Sequence, residues 1–278
     1  MNLIDGKTLA EEIQQDVRKR IEKAGITPGL AIILVGDNEA SKLYVRLKER
    51  AAHAVGIACH TYRFNENTAA NEILTAIDFL NKDEDVHGII VQLPLPRHLS
   101  EDAIIKAMDF RKDVDGFHPK NVEAMLKGLK VPEPTLIKAI LRLLKNVKVN
   151  IKGKKVVVLA NSPVFLNPFI HLLTKKGADA RAFRKGERFE AALAEADILI
   201  TAYGKPESIT GRMLKEGVTI IDVGITKLED GSVVGDVDVE SLKDKAEWIT
   251  PVPGGVGPVT VATLLENTLE SALRFKNE

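Results

Sequence analysis

The segment VVVLANSPVFLNP, residues 156–168, has the order of a strand, a turn and a helix. Its apolar residues at 156–159 are typical of a buried strand, and Pro168 is of a type common in the first turn of a helix. Dinucleotide-binding folds place glycines in this turn, so that backbone N–H groups can approach a pyrophosphate. Here the turn begins Ala-Asn-Ser-Pro (160–163). The segment is therefore either no nucleotide site, or one that has been rebuilt or abandoned.

Strands alternate with helices in both directions from this segment, which indicates parallel α/β sheets. The alternation restarts near residue 150, where we place the domain boundary, and the second half has Rossmann-like order. Strands are expected at 30–36, 60–64, 88–94, 155–160, 179–183, 197–203 and 218–224, with a hairpin around Asp230-Gly231. Helices are expected at 8–24 (capped by Thr8), 41–55, 69–80, 102–108, 136–144 and 259–276.

Composition excludes several classes of protein. The 278 residues include 39 Lys+Arg and 39 Asp+Glu, a balance that argues against a nucleic-acid binder. The single cysteine, Cys59, cannot form an intramolecular disulfide, and no Cys/His spacing indicates a metal site. No apolar run reaches the roughly 18–20 residues that a membrane span needs, and the N-terminus lacks an apolar signal core. We expect a cytoplasmic protein without metal, nucleic-acid or membrane partners.

A possible catalytic group lies on the helix predicted at 41–55. Ser41, Tyr44 and Lys48 share one flank of this helix by their spacing. A lysine held beside a tyrosine and partly desolvated has a lowered pKa and can act as an acid or base. Taken alone, however, a helical lysine is usually a solvated surface residue. A neighbouring apolar stripe is expected to face the core and consists of Leu43, Leu47 and Ala51.

Polar residues in two other segments support a functional role for Lys48. Gln92 follows a buried strand, at the edge where open α/β sheets bind ligands. Asp113 and Asp115 lie in the Gly/Pro-containing loop KDVDGFHP (112–119). An aspartate in such a loop is more often a turn former than a ligand-binding group.

These residues belong to stretches that resemble the methylenetetrahydrofolate dehydrogenase/methenyltetrahydrofolate cyclohydrolase family, and the resemblance is collinear over nearly the whole chain. The stretches are VGDNEASKLYVRLKERAAHAVGI (35–57), GIIVQLPLPRHL (88–99), KDVDGFHPKN (112–121), VTIIDVGI (218–225) and TPVPGGVGPVTVATLLENTL (250–269).

The resemblance implies two α/β domains flanking a cleft, the second a Rossmann-like NAD(P)-binding-type domain. We expect the folate-binding catalytic domain at 1–130 with 257–278, and the dinucleotide-type domain at 131–256. It also implies a homodimer, a folate substrate in the cleft, NAD(P)-dependent oxidation of the methylene bridge, and hydrolysis of the methenyl product to the 10-formyl form.

Carried over by position, the resemblance makes Lys48 the general acid/base and Gln92 the residue that holds it. Tyr44 packs on the folate and Asp115 binds the pterin, so these four form the expected catalytic group. A Gly-rich loop at 253–258 closes the pocket between folate and nicotinamide. The expected substrate contacts are Ser41, Tyr44, Gln92, Leu93, Asp115, Pro253, Gly254, Gly255 and Pro258.

The chain departs from the family on the cofactor side. The family's Gly-Arg-Ser-x-x-Val-Gly-x-Pro stands here as residues 160–168, without either glycine or the arginine expected near a 2′-phosphate. Leu166 is expected to occupy space meant for pyrophosphate, and Pro163 removes a backbone donor. Other departures lie at 121–123, 132–137 and 182–186. The cofactor contacts expected at this eroded site are Ala160, Asn161, Ser162, Arg184, Lys185, Gly204 and Ile225.

Three interpretations of this pattern compete. The one we favour from sequence is a cyclohydrolase whose NADP-dependent dehydrogenase activity is weak, altered or lost, which makes NADP binding doubtful. The second is a fully bifunctional enzyme with a remodelled NADP site, because Arg184 and Lys185 lie where NADP-preferring Rossmann sites carry basic residues. The third is a non-catalytic folate-binding or partner subunit, which the intact Lys48, Gln92 and Asp115 set argues against.

Overall fold

The structure is a computed structural model that describes residues 1–129, 131–243 and 245–277. It contains two compact units: Met1–Leu9 with Ile137–Thr260, and Ala10–Leu136 with Val261–Glu278. Each unit is built on a parallel sheet. The predicted fold class, two α/β domains of which one is Rossmann-like, is therefore confirmed.

The bounds of the regular elements follow in chain order. The strands are β1 (Asn2–Leu3), β2 (Gly29–Val35), β3 (Ala58–Phe64), β4 (Gly88–Val91), β5 (Lys155–Ala160), β6 (Asp179–Phe183), β7 (Ile198–Ala202), β8 (Val218–Asp222), β9 (Thr226–Lys227), β10 (Val233–Val234) and β11 (Ala246–Ile249). The α-helices are α1 (Gly6–Ala24), α2 (Glu39–Val55), α3 (Ala70–Lys82), α4 (Glu101–Ala107), α5 (Pro119–Leu126), α6 (Thr135–Asn146), α7 (Pro163–Lys175), α8 (Glu190–Leu193), α9 (Val239–Leu242) and α10 (Val256–Asn277).

At the starts of α1 and α7, the residue in the cap or first turn differs from the one that the sequence predicts. At α1 the cap is Asp5 and not Thr8: its carboxylate accepts from the N–H groups of Lys7 (3.0 Å) and Thr8 (3.1 Å). Helix α7 begins at Pro163, so Pro168 lies inside the helix instead of in its first turn. Pro163 has the fixed φ that suits a first helical position, and its missing N–H would be unpaired there in any case.

The unit that contains residues 10–136 has a three-stranded sheet in the order β3-β2-β4. All seven residues of the central strand β2 are buried. Its alternate side chains enter two separate cores. Leu30, Ile32 and Leu34 pack in the cluster that includes residues of α1, α2 and α10. Ala31, Ile33 and Val35 pack in the cluster that includes residues of α3 and α4.

Helix α2 does not bury the stripe that the sequence predicts. It buries Ser41, Val45, Ala52 and Val55. Leu43 and Leu47 are 50% and 47% exposed, so the prediction that they face the core is wrong, and Ala51 alone of that stripe packs partly against it. The helix carries two adjacent apolar stripes, and the cluster around β2 takes the one with the smaller side chains.

The other unit has a six-stranded sheet in the order β1-β11-β8-β7-β5-β6. Strand β5, which contains the apolar residues at 156–159, is paired in parallel with β6 on one side and β7 on the other. The predicted hairpin is present as β9 and β10, which pair antiparallel around Asp230-Gly231. Strands β1 and β11 have two and four residues, too short for a periodic pattern to be evident in the sequence.

Two buried aspartates fix the loops that follow β7 and β8. The Asp236 carboxylate accepts from the N–H groups of Tyr203 (2.7 Å), Gly204 (3.0 Å) and Lys205 (3.1 Å). Asp222 accepts from the N–H groups of Gly224 (2.9 Å), Asp236 (3.2 Å) and Val237 (3.0 Å). A Cβ at Gly224 would lie 2.5 Å from the Asp236 carboxyl carbon, so this close approach requires glycine. The two carboxylates thereby hold the carboxyl edge of this sheet in one conformation.

The pH dependence of stability tests this arrangement. Burial raises the pKa of Asp222 to about 6, above its ordinary value of 3.8. A raised pKa gives a stability contribution that is complete below the unfolded value and is lost as pH rises through about 6. Between about pH 4 and about pH 7, the wild type should therefore lose about 2 kcal/mol more than Asp222→Asn in free energy of unfolding, measured by urea denaturation. Parallel pH profiles of the two proteins would contradict the assignment.

Candidate functional site

Lys48 and Gln92 form the centre of the candidate site. The Lys48 Nζ donates to Gln92 Oε1 at 2.9 Å. Gln92 follows β4 directly, and its backbone N–H donates to the Ile33 carbonyl at 2.8 Å, which extends the pairing of β4 with β2. Its side-chain Nε2 donates to the Leu93 carbonyl at 2.8 Å. The backbone N–H and the side-chain Nε2 of Gln92 are therefore both hydrogen-bonded, and this keeps the amide oxygen directed towards Lys48.

The environment of Lys48 changes its acidity. Burial lowers the pKa of its ammonium, and the negative charges available at Asp115 and Cys59 oppose that change. A lysine whose pKa is lowered spends more time as the neutral amine near neutral pH than an exposed lysine does. It can then accept a proton and return it, as general acid–base catalysis requires.

Asp113 and Asp115 have different surroundings in the loop that follows residue 112. The Asp113 carboxylate is buried and accepts from the N–H groups of Gly116 (3.0 Å) and His118 (2.7 Å) and from Asn121 Nδ2 (2.9 Å). These bonds make Asp113 the residue that shapes the loop. Burial raises the pKa of Asp115, with Lys48 lowering it and Asp113 raising it. Asp115 is therefore the aspartate that lies near the lysine.

The remaining predicted residues of this unit lie on the same elements. Tyr44 precedes Lys48 by one turn on α2 and is half-buried, which raises the pKa of its hydroxyl. Ser41 is buried at the start of α2, where its N–H donates to Asn38 Oδ1 at 3.0 Å. Leu93 is partly exposed and is joined to Pro94 by a cis peptide bond. This part of the site offers an aromatic ring, an amine, an amide and a carboxylate.

Two further buried residues lie beside this site and are not among those predicted from the sequence. Asn267 on α10 is fully buried, and its Nδ2 donates to the Val114 carbonyl (3.0 Å) and to Thr135 Oγ1 (3.2 Å), next to Asp115. The signal for it was an asparagine in the apolar run of the last helix. Cys59 is buried near Lys48, and burial raises the pKa of its thiol to about 12. Only its disulfide chemistry was considered from sequence.

The predicted Gly-rich loop at 253–258 belongs to the other unit. It contains a cis peptide bond between Val252 and Pro253, and Gly254 has a φ of 111°. The Gly255 N–H donates to the Pro251 carbonyl at 2.8 Å, and a Cβ at Gly255 would lie 2.6 Å from the Thr250 Cβ. Both glycines are therefore needed for the shape of this loop. The roles of Pro253, Gly254, Gly255 and Pro258 towards a substrate stay predictions.

Asn161 lies in the turn after β5, which lacks the glycine that dinucleotide-binding folds place there. Its Nδ2 donates to the Tyr203 carbonyl at 2.8 Å, and its Oδ1 accepts from the Lys185 N–H at 3.0 Å. Ala160 is buried at the end of β5, and Ser162 is exposed as the N-cap of α7. One side chain thus joins the loops that follow β5, β6 and β7.

Leu166 does not stand in the way of a phosphate. Its side chain is only 2% exposed, and its N–H donates to the Ser162 carbonyl at 3.0 Å as part of helix α7. The expectation that Leu166 fills the space meant for a pyrophosphate is wrong, because the helix begins at Pro163 and turns this side chain into the unit.

The residues at this edge fit a dinucleotide cofactor. Arg184 and Lys185 are exposed cations beyond β6, and Ile225 presents an apolar side chain that is 46% exposed. At Gly204, nothing lies within 4 Å of the place where a Cβ would be, so the backbone there is accessible. Phosphates need cations and accessible backbone, and a nicotinamide ring needs an apolar surface.

Among residues 1–129, 131–243 and 245–277, no group of three or more His, Cys, Asp or Glu side chains is arranged to hold a metal ion. In the same part of the chain, no helix combines the length and apolar character needed to cross a membrane.

The chain is similar to known proteins over its whole length. The family model for the tetrahydrofolate dehydrogenase/cyclohydrolase catalytic domain matches residues 4–115, and the model for the NAD(P)-binding domain of the same family matches residues 134–276. A curated relative, the bifunctional protein FolD of Moorella thermoacetica, is 46% identical, with 98% of this chain and 99% of the relative covered.

Two solved structures show the same likeness. The bifunctional FolD methylenetetrahydrofolate dehydrogenase/cyclohydrolase of Campylobacter jejuni is 42% identical, with 99% of both chains covered and a TM-score of 0.93. The Trypanosoma brucei FolD, solved with NADP cofactor and inhibitor, is 33% identical, with 99% of this chain and 98% of that chain covered and a TM-score of 0.94.

Two near-isosteric substitutions at Gln92 test the Lys48 hydrogen bond. Gln92→Leu removes an acceptor that favours the ammonium and should lower the pKa of Lys48 further, whereas Gln92→Glu places a carboxylate 2.9 Å from Nζ and should raise it. The pKa can be followed by NMR of ¹³C-labelled lysine, with the Lys48 signal assigned by Lys48→Arg. Shifts in the same direction for both variants would rule out this hydrogen bond as a determinant of the pKa.

Proposed function

The chain belongs to the tetrahydrofolate dehydrogenase/cyclohydrolase family, and on this basis we propose that it is a bifunctional enzyme. It oxidises methylenetetrahydrofolate with NADP and hydrolyses the methenyl product to 10-formyl-tetrahydrofolate. The observation that carries the proposal is the Lys48–Gln92 hydrogen bond of 2.9 Å, formed by a lysine whose pKa burial lowers.

The hydrolysis can be written with the side chains of this site. A water oxygen attacks the carbon of the cationic methenyl bridge and loses a proton to the neutral amine of Lys48. One of the two carbon–nitrogen bonds of the bridge then breaks as the new hydroxyl oxygen becomes the formyl carbonyl and releases its proton to solvent. Lys48 returns its own proton to the nitrogen that leaves. The bound cation itself favours the neutral amine, since two positive charges repel. Gln92 keeps the amine in place between the two transfers.

The substrate is held by groups on either side of the lysine. The Asp115 carboxylate can accept a pair of N–H donors from the pterin ring. The half-buried Tyr44 offers an aromatic face on which the folate can pack. These assignments depend on the positions of the side chains around Lys48 and on the resemblance of their motifs to the family.

The oxidation needs a dinucleotide cofactor in addition to the folate. A bound NADP would supply the hydride acceptor for the oxidation of the methylene bridge. The residues that would hold this cofactor are Ser162, Arg184 and Lys185, with Ala160, Asn161, Gly204 and Ile225 around them. A relative from Trypanosoma brucei that is 33% identical was solved with NADP, which supports NADP as the cofactor.

Of the three interpretations of the altered turn, we now favour the fully bifunctional enzyme over the one preferred from sequence. The case for a weak or lost dehydrogenase rested partly on Leu166, which is buried, and the relatives, which are bifunctional proteins, give no sign of a lost activity. For the same reasons, we no longer regard NADP binding by this chain as doubtful. A non-catalytic subunit is disfavoured because a binding-only protein has no need of an amine held at 2.9 Å from an amide oxygen.

We also propose that the chain forms a homodimer through the face made by α2 and β3. Leu43 and Leu47 on α2 are about half exposed, and β3 lies at the edge of its sheet. Adjacent exposed leucines and a strand edge are features that soluble proteins usually cover. A two-fold dimer would bring the same patch of each copy together.

Replacement of Lys48 by methionine tests the catalytic proposal. Lys48→Met should lower the rate of methenyltetrahydrofolate hydrolysis by about 10²–10⁴-fold, the range usual for general acid–base catalysis. Folate binding should be affected much less, because Tyr44 and Asp115 remain. The rate is measured as loss of methenyltetrahydrofolate absorbance above the spontaneous rate.

The matched control is Lys42→Met on the same helix, where Lys42 is paired with Asp37 at 2.8 Å. It should keep the wild-type rate of hydrolysis. An unchanged rate in Lys48→Met would show that the amine is not catalytic. Wild-type hydrolysis without reduction of either NADP or NAD would reinstate the single-activity interpretation.

Replacement of Leu43 by glutamate tests the dimer. The charge should convert a dimer into a monomer, measured by light scattering coupled to size-exclusion chromatography, because a carboxylate buried at a two-fold contact meets its own copy. Leu129→Glu, at a leucine that is 62% exposed elsewhere, should leave the dimer intact. A monomeric wild type, or a dimeric Leu43→Glu variant, would contradict the proposal.

A further inference from the structure

We propose that Thr135 and Asn267 are positioning residues for Asp115, because together they fix the backbone around this aspartate and the direction of its carboxylate. Folate binding by Asp115 belongs to the proposed function, on which this inference rests. All three residues lie in the unit that also contains Lys48. Residues 132–137 are one of the stretches in which the chain departs from the family, so the resemblance does not supply this role for Thr135.

The two peptide groups that flank the α-carbon of Asp115 are both hydrogen-bonded. Before it, the Val114 carbonyl accepts from Thr135 Oγ1 at 2.9 Å and from Asn267 Nδ2 at 3.0 Å. After it, the Asp115 carbonyl accepts from the Thr135 N–H at 2.9 Å. A rotation of the backbone at Asp115 would break at least one of these bonds. The side chain is therefore the part of this residue that keeps its rotational freedom.

The segment that leads to Thr135 lies directly on the turn after Asp115. Gly116 has a φ of 83°, and a Cβ at Gly116 would lie 2.6 Å from the Pro134 Cα. The Gly116 N–H also donates to the buried Asp113 carboxylate at 3.0 Å. A movement of Asp115 would therefore have to displace both the segment at Pro134 and the loop that Asp113 shapes.

The Thr135 hydroxyl acts on the Asp115 side chain as well. Asn267 Nδ2 donates to Thr135 Oγ1 at 3.2 Å, so the hydroxyl accepts on that side and has one proton to give to the loop. Burial raises the pKa of Asp115, and a hydrogen bond from the Thr135 side chain is among the interactions that oppose this rise. A carboxylate oxygen has two lone pairs, so an oxygen bonded to Thr135 can still accept from a ligand.

Helix α10 gives Asn267 a fixed position beside this loop. Asn267 is fully buried, and Val114 packs in the same apolar cluster as three leucines of the helix. These are Leu264, Leu265 and Leu269. Apolar packing thus holds the helix against the loop, and the Asn267 amide adds the hydrogen bonds that set the direction of the Thr135 hydroxyl.

The geometry of a pterin explains why the carboxylate needs such support. A pterin presents its 2-amino group and the neighbouring ring N–H side by side, in the plane of the ring. A carboxylate accepts from both only when it lies in that plane. Asp115 is partly exposed and so can reach a ligand. A carboxylate that is already oriented loses less rotamer freedom on binding, which raises the affinity for this edge of the ring.

Two folates test the inference without the reaction. Tetrahydrofolate and its 2-desamino-2-methyl analogue differ in the 2-amino group, and their dissociation constants can be measured by calorimetry on the full chain without oxygen. The wild type should bind tetrahydrofolate at least about tenfold more tightly than the analogue. Thr135→Val keeps the shape of the side chain but removes the hydroxyl, so this preference should fall by about threefold to tenfold.

Hydrolysis kinetics give a second measurement on the same variant. In Thr135→Val the KM for methenyltetrahydrofolate should rise by about threefold to tenfold while kcat stays the same, because the lost binding is common to the ground state and the transition state. A general disturbance of the site would lower kcat as well, since Lys48 would also be displaced.

Three further variants separate positioning from packing. Thr135→Ser restores the hydroxyl and should restore the wild-type preference. Asn267→Leu removes the donor that orients this hydroxyl and should reduce the preference by about threefold, which keeps the inference testable if Thr135→Val does not fold. Thr268→Val is the matched control: its hydroxyl is buried and donates to the Leu264 carbonyl of its own helix at 2.9 Å, so the preference should stay the same.

Asp115→Ala distinguishes failure of this inference from failure of the proposed function. If Asp115→Ala loses the preference while Thr135→Val and Asn267→Leu keep it, the inference is overturned and folate binding by Asp115 stands. A Thr135→Ser variant that behaves like Thr135→Val would also overturn it, because packing and not the hydroxyl would then be responsible. If Asp115→Ala keeps the wild-type preference, the proposed binding of the pterin by Asp115 is itself wrong.

Discussion

The parallel pairing of β4 with β2 is the constraint on which the candidate catalytic site depends. Because the Gln92 N–H continues this pairing by bonding to Ile33, the residue that follows β4 has a fixed backbone. Its side-chain oxygen is then held 2.9 Å from the amine of Lys48 on α2. A sheet whose central strand is buried along its whole length gives this contact a rigid base. Carboxyl ends of parallel strands carry ligand sites in many α/β proteins for the same reason.

In the other unit, side chains instead of glycines fix the loops that follow the strands. A glycine-rich turn brings backbone N–H groups to a phosphate because it lacks Cβ atoms. Here Asn161 bonds to the neighbouring loops, and Asp236 orders the N–H groups of residues 203–205. The edge of the sheet is thereby held in one conformation by buried and bridging polar groups. The loss of the glycines is compatible with a nucleotide site that is built differently.

Much of this could be predicted from the sequence, and the failures have a common cause. The order of strands and helices follows from local periodicity, whereas the contact of Lys48 with Gln92 was expected from the resemblance of their motifs to the family. The errors concern which way a side chain faces. Leu43 and Leu47 belong to one of two possible apolar stripes, and Leu166 turns inward because α7 begins at Pro163. Such choices depend on what packs against the helix, which the sequence of the helix does not contain.

We propose that one chain performs two consecutive reactions on the same one-carbon bridge. The most direct test supplies methylenetetrahydrofolate and NADP to the purified protein and measures both products over time. NADPH and 10-formyl-tetrahydrofolate should accumulate in equal amounts, with methenyltetrahydrofolate as a transient intermediate. Methylenetetrahydrofolate that stays unconsumed with either NADP or NAD, while added methenyltetrahydrofolate is hydrolysed, would contradict it.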